Sequence, residues 1–190
     1  MSQANLEQHI QDIEIENSNL ASLYVALSQL HSSLEVSEVL GVIVEIMLNF
    51  VGAETFAVLV SDEDETLRAI AAHGVAVGDV PPVANEGVFA AARVSGEPQI
   101  SALSSQDRGR TVAAPPVVCI PLHAAGEVIG ALALWTFLPQ KQSFTAIDHE
   151  IIQLMSKSAG TALEAARLAM TAPPSPGDRG YYEAFASLLR

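Results

Sequence analysis

The chain has 190 residues, 49% of them hydrophobic and 16% charged, with a formal net charge of −13. That length suffices for one well-packed domain plus an appendage, and no apolar run reaches the ~18–20 residues of a membrane span. Such acidity repels phosphate backbones and anionic lipid unless the bases cluster; only Arg108 and Arg110 among the nine stand close together, so neither nucleic-acid binding nor membrane insertion is expected.

Residues 6 to 34 carry a heptad pattern. Leu6, Ile10, Ile13, Asn17, Leu20, Tyr24, Leu27, His31 and Leu34 follow at alternating steps of four and three. With Ile10 as a, the d positions are Ile13, Leu20, Leu27 and Leu34, and Asn17, Tyr24 and His31 fall at a. Leucine at d favours two strands, and a buried asparagine at a fixes register. The spacing therefore predicts a dimerisation helix over 1–34, with Ile10, Ile13, Asn17, Leu20, Tyr24 and Leu27 in the seam. The alternative is one amphipathic helix lying on its own domain.

A second helix follows, with Val36, Val39, Leu40, Ile43, Ile46, Met47 and Phe50 on one face, ended by Gly52. Thr55–Ser61 and Leu67–His73 read as a hairpin around the polar Asp62–Thr66 turn. Pro81-Pro82 excludes regular structure from the next loop. A short helix is expected from Gly87 to Val94 and a short edge strand from Gln99 to Ala102. Ser104 to Ala114 reads as a polar loop. Val117–His123 and Glu127–Phe137 form a longer hairpin around Ala124-Ala-Gly126. Thr145-x-x-Asp148 has the form of a capping box and opens a helix running to about Met170. Ile151, Met155, Ser158, Ala162 and Ala165 take heptad-like steps on it, a face another helix could approach closely. Ala172 to Asp178 is a proline-rich linker, so the chain divides into 1–34, 35–170 and 171–190.

Five pieces together carry a resemblance: Leu34–Leu40, Ala71-Ala-His-Gly74, Val118-Cys-Ile-Pro-Leu122, Gly126-Glu-Val-Ile-Gly130 and Phe144-Thr-Ala-Ile-Asp148. In order and spacing the stretch 35–170 resembles a GAF domain, a cytosolic sensory and dimerisation module. The resemblance implies an α+β fold: an antiparallel sheet of about six strands, a helix bundle on one face, and loops with a short helix over a ligand pocket on the other. Its residue-specific functions do not carry over. Bilin-binding relatives attach chromophore through a cysteine followed by histidine, whereas Ile120 follows Cys119. Sulfoxide-reducing relatives use several cysteines, and this chain has one. The Asn-Lys-Phe-Asp-Glu motif of cyclic-nucleotide binders is absent.

The remaining chemistry is sparse. Cys119 in an apolar strand reads as an inert thiol, and a lone cysteine fits a reducing compartment, so the expected location is cytoplasmic. Asp62 to Glu65 lacks the glycine and distal glutamate of a calcium loop. The five histidines show no metal-ligand spacing, and no phosphate cradle or nucleophile elbow is present. No metal, cofactor or enzymatic activity is expected. His73, Phe89, Arg93, Arg108, Arg110 and Trp135 are candidate pocket residues by fold analogy.

Beyond the linker, Tyr181, Phe185, Leu188 and Leu189 would share one face of a terminal helix with Tyr182 at its rim, a candidate partner-binding tail. No kinase, cyclase, ATPase or helix-turn-helix pattern follows residue 170, so output is expected through a surface. The expected function is a non-enzymatic regulator that homodimerises through its terminal helices and binds a protein partner. The alternative is a sensor whose small-molecule ligand, a metabolite or nucleotide, shifts the helix bundle.

Overall fold

The computed structural model describes residues 3–62, 64–169 and 182. Helix α1, Gln3–Leu30, has 28 residues and is about 42 Å long at 1.5 Å per residue. Helix α2 spans Val36–Ile46 and buries Val36, Val39, Leu40, Ile43 and Ile46. It does not continue to Gly52 as an α-helix. Met47–Val51 forms a π-turn, with the Gly52 amide donating to the Met47 carbonyl. Within this turn Val51 is fully buried, and Phe50 is half-buried against the same core. Gly52 then ends the turn at φ 73°, a left-handed conformation that glycine adopts without cost.

Strands β1 (Ala53–Ser61), β2 (Leu67–His73), β3 (Gln99–Ile100), β4 (Val118–Ala124) and β5 (Glu127–Phe137) form one sheet in the order β2-β1-β5-β4-β3. Every pairing is antiparallel. The described residues thus form five strands rather than about six. At the outer edge of β2, Val83 makes a single bridge, exchanging backbone hydrogen bonds of 2.8 and 2.9 Å with Leu67. Pro81 and Pro82 precede it and have no N–H with which to extend the ladder.

Because strand side chains alternate between faces, the sheet divides two cores. Phe56, Val58, Val60, Val118, Ile120, Leu122, Leu132 and Leu134 join the helices in one. Ala57, Leu59, Cys119, Ala131, Ala133 and Trp135 face the other way and meet Phe89 and Ala92 from helix α3, Gly87–Ser95. Helix α4, Ala146–Leu168, begins with the capping box expected at Thr145 and Asp148. Ser156 Oγ donates to the Pro121 carbonyl at 2.7 Å, and Gly160 crosses β4 so closely that a Cβ would lie 2.4 Å from the His123 carbonyl oxygen. That docking consumes the α4 stripe expected to receive another helix. Ile151, Met155 and Ala162 are buried in the domain itself, while Ala165 is exposed. Among the described residues no helix is long and apolar enough to cross a membrane.

Candidate functional site

The alanine-rich side of the sheet leaves room above Ala57, Ala131 and Ala133, and here two aromatic side chains occupy it. Trp135 is 0% exposed and its indole N–H donates to the Ala114 carbonyl at 2.7 Å. Phe89 packs in the same cluster from α3. Beside Phe89, Arg93 and Ala131 a space of about 10 Å³ remains, roughly one water. The other side of Phe89 borders an open cavity of about 540 Å³ between residues 81–88 and 112–115.

The six candidate pocket residues do not surround one space. Phe89 and Trp135 share a core. Arg93 borders the remnant beside Phe89 and pairs with Glu65 at 3.4 Å. His73 stacks on Phe56 with ring centroids 5.4 Å apart, and Phe56 belongs to the helix-side core. A register shift between Val58 and Leu59 intervenes before His73 in the β1–β2 pairing, so simple alternation from Leu67 does not place it. Arg110 donates to Asp107 Oδ1 through Nε (3.0 Å) and Nη2 (2.5 Å), and through Nη1 to the Pro115 carbonyl (2.7 Å). Arg108 lies elsewhere, at an exposed position bordering a cavity at the end of β5.

Asp107 organises the loop that covers Trp135. Its Oδ2 accepts from the Ser104 amide at 2.7 Å and hydroxyl at 2.9 Å. Burial by itself raises this carboxyl's pKa, but hydrogen bonds from Arg110 and Ser104 outweigh it and hold the pKa below the ordinary 3.8. A depressed carboxylate pKa contributes stability above the unfolded value, lost as pH falls through the folded one. Asp107→Asn is therefore expected to lower stability by about 1.5–3 kcal/mol at neutral pH, the worth of hydrogen bonds to a charged group. In denaturant titrations its deficit against wild type should shrink as pH falls below 3.8; a deficit constant with pH would contradict the ionic role.

The sequence pattern did not single out Asp107, Lys141 or Asp148 as a group. Lys141 Nζ lies 2.5 Å from Asp148 Oδ1, and Asp148 Oδ2 accepts from the Thr145 amide at 2.6 Å. The Thr145-x-x-Asp148 spacing was the available signal for half of this arrangement. Burial pushes the Cys119 thiol up to about 12, so it carries little thiolate at neutral pH. Among the described residues no group of three or more His, Cys, Asp or Glu could hold a metal ion.

On α1 the described side chains fall on two faces. Leu23, Ala26 and Leu30 are buried and Leu27 packs against the same core. Ile10, Ile13, Leu20 and Tyr24 are 48, 44, 44 and 74% exposed, and Asn17 is exposed with them. Of the expected seam residues, Leu27 turns toward the domain, and Leu20 borders a cavity that it shares with Leu23, Phe50, Ile147 and Ile151. Of the tail, Tyr181, Phe185, Leu188 and Leu189 lie outside the described residues. Tyr182 is half-buried on its own domain, under the Arg68 guanidinium at 5.9 Å, with its hydroxyl donating to the Ala69 carbonyl at 3.5 Å.

Comparison with known proteins gives a consistent answer. Residues 33–164 match the family model described as GAF domain. The GAF domain of an Acinetobacter phosphoenolpyruvate-protein phosphotransferase is 16% identical, with a TM-score of 0.62 over 82% of this chain and 98% of that one. A methyl-accepting chemotaxis protein, residues 122 to 287, is 21% identical, with a TM-score of 0.57 over 76% of this chain and 99% of that one. Free methionine-R-sulfoxide reductase from Neisseria meningitidis, solved with its substrate, is 19% identical, with a TM-score of 0.55 over 76% and 87%. At these identities the likeness concerns fold. No curated protein matches the chain.

Proposed function

The chain belongs to the GAF domain family, and from that premise we propose that it is a non-enzymatic cytoplasmic regulator that pairs with a second copy through α1 and relays its state by binding a protein partner. The observation that carries this reading is the exposed stripe Ile10, Ile13, Asn17 and Tyr24, with Leu20 at its edge toward the domain, on a face of α1 different from the one that buries Leu23, Ala26 and Leu30. Heptad side chains left in water along a helix that extends past its own core are what a two-stranded seam requires. The family supplies the regulatory setting, and the chemotaxis protein is a sensory example of the fold.

Two further observations favour relay over chemistry. The fold is shared with a methionine-R-sulfoxide reductase, yet the thiol here is buried and pushed up to about 12. Trp135 and Phe89 fill the space directly over the sheet where the resemblance implies a ligand, and the cavity that remains on that side lies outside them, between residues 81–88 and 112–115.

Capture experiments from the native host test the partner half of the proposal. The full chain is expected to retain one protein near stoichiometry, and a chain ending at residue 171 to lose it. Equal capture by the shortened chain would move the interface onto the domain, and no stoichiometric protein in either case would contradict the relay reading.

A further inference from the structure

At the end of the sheet where β5 stops lies a cavity of about 190 Å³ that is separate from the Trp135 core. Its apolar walls are Leu103, Phe137 and Leu138, and its polar border includes Arg108, Lys141 and Gln142. Phe137 and Leu103 belong with the helix-side core, so the space adjoins that core rather than the one under α3.

The charges at this border do not cancel. Five described cations, Arg68, Arg93, Arg110, Lys141 and Arg167, each pair with a carboxylate at 2.5–3.4 Å. Arg108 has no carboxylate partner among the described residues, in a chain with 22 acidic residues to 9 basic ones. Lys157 shares that condition but stands on the open surface of α4, whereas Arg108 borders the cavity. Counting Arg108, Arg110 and Lys141 against Asp107 and Asp148 leaves one positive charge in a molecule of net −13. Asp107 also lines the space, but its oxygens are engaged by Arg110 and Ser104.

We propose that this cavity binds a small amphipathic monocarboxylate, its carboxylate between Arg108 and Lys141 and its carbon skeleton against Leu103, Phe137 and Leu138. Guanidinium and ammonium donors over apolar walls recognise a charged head with a hydrophobic body. A phosphate dianion fits less well, since it brings two charges to a border with one to spare and nothing for the leucines. Lys141 has three donor hydrogens and gives one to Asp148, the carboxylate of the α4 capping box. Ligand charge therefore reaches the start of the helix that docks on β4. This site goes beyond the dimer reading and does not require it.

Titration of the full chain with benzoate and hexanoate, followed by methyl shifts of Leu103 and Leu138, tests the proposal. At least one carboxylate is expected to bind saturably and to shift both leucines, whereas benzamide, without the charge, does not. Arg108→Gln replaces an exposed side chain and leaves the fold intact; it should weaken binding roughly ten-fold or more, the worth of a charge-assisted hydrogen bond. Arg93→Gln, on α3, should not alter binding. The proposal is overturned if neither carboxylate binds, if benzamide binds equally, if Arg108→Gln binds as well as wild type, or if inorganic phosphate alone shifts the leucines.

Discussion

Replacing Trp135 with alanine is expected to destabilise the domain by about 3–5 kcal/mol, the range for deleting a buried aromatic. Trp135 is fully buried, and its neighbours on that side, Ala57, Ala131 and Ala133, are too small to close the void. The backbone cannot follow, because β5 is held between β1 and β4. The same substitution removes the donor to the Ala114 carbonyl, freeing the loop that Asp107 and Arg110 brace. Trp135→Phe separates the two effects. It keeps a ring in the space and loses the hydrogen bond, so a smaller cost of about 1–3 kcal/mol is expected. Urea unfolding followed by circular dichroism measures both, since Trp135 is the chain's single tryptophan. A loss below about 1 kcal/mol for the alanine variant would mean that Trp135 is not holding this face together.

Ile13→Glu with Leu20→Glu is expected to abolish self-association while leaving the domain folded. Both side chains are 44% exposed in the single chain, and even at Leu20, which borders the cavity beside Phe50 and Ile151, the glutamate can reach water, so the isolated domain is expected to keep its fold. In a two-stranded seam the same glutamates would meet their copies without partners. Burying unpaired charge is costly, and about 3 kcal/mol already weakens association more than a hundred-fold. Some helical signal should fall as well, since the part of α1 beyond the core becomes a solitary helix that is marginal in water. Leu23→Glu supplies the contrast. Leu23 is 7% exposed and part of the core, so that change should unfold the domain. Unchanged association of the double variant would place the contact elsewhere.

The elements most legible in the sequence were those with a local signal. Alternation bounded by turns gave β2 as Leu67–His73 and β5 as Glu127–Phe137, the limits observed, and Thr145 with Asp148 gave the start of α4. Patterns shared by two solutions were less informative. On α1, Leu27 belongs both to the heptad stripe and to the buried set Leu23, Ala26 and Leu30, so spacing alone did not decide which face meets the domain. The π-turn at Met47–Val51 has no signature in a 3.6-residue pattern; Phe50 packs partly against the core as its spacing suggested, while the fully buried Val51 was not picked out. The site was harder still. Alternation says which side Trp135 faces but not that it fills the space there. His73 depends on a register shift between Val58 and Leu59, and the cavity beside Arg108 is assembled from two segments far apart in sequence, 103–108 and 137–142.

The central claim, that α1 joins two copies, is tested most directly by sedimentation equilibrium of the wild-type chain at micromolar concentration. Twice the chain mass, independent of concentration across that range, is the predicted result. A wild-type monomer would contradict it, leaving Ile10, Ile13, Leu20 and Tyr24 facing water.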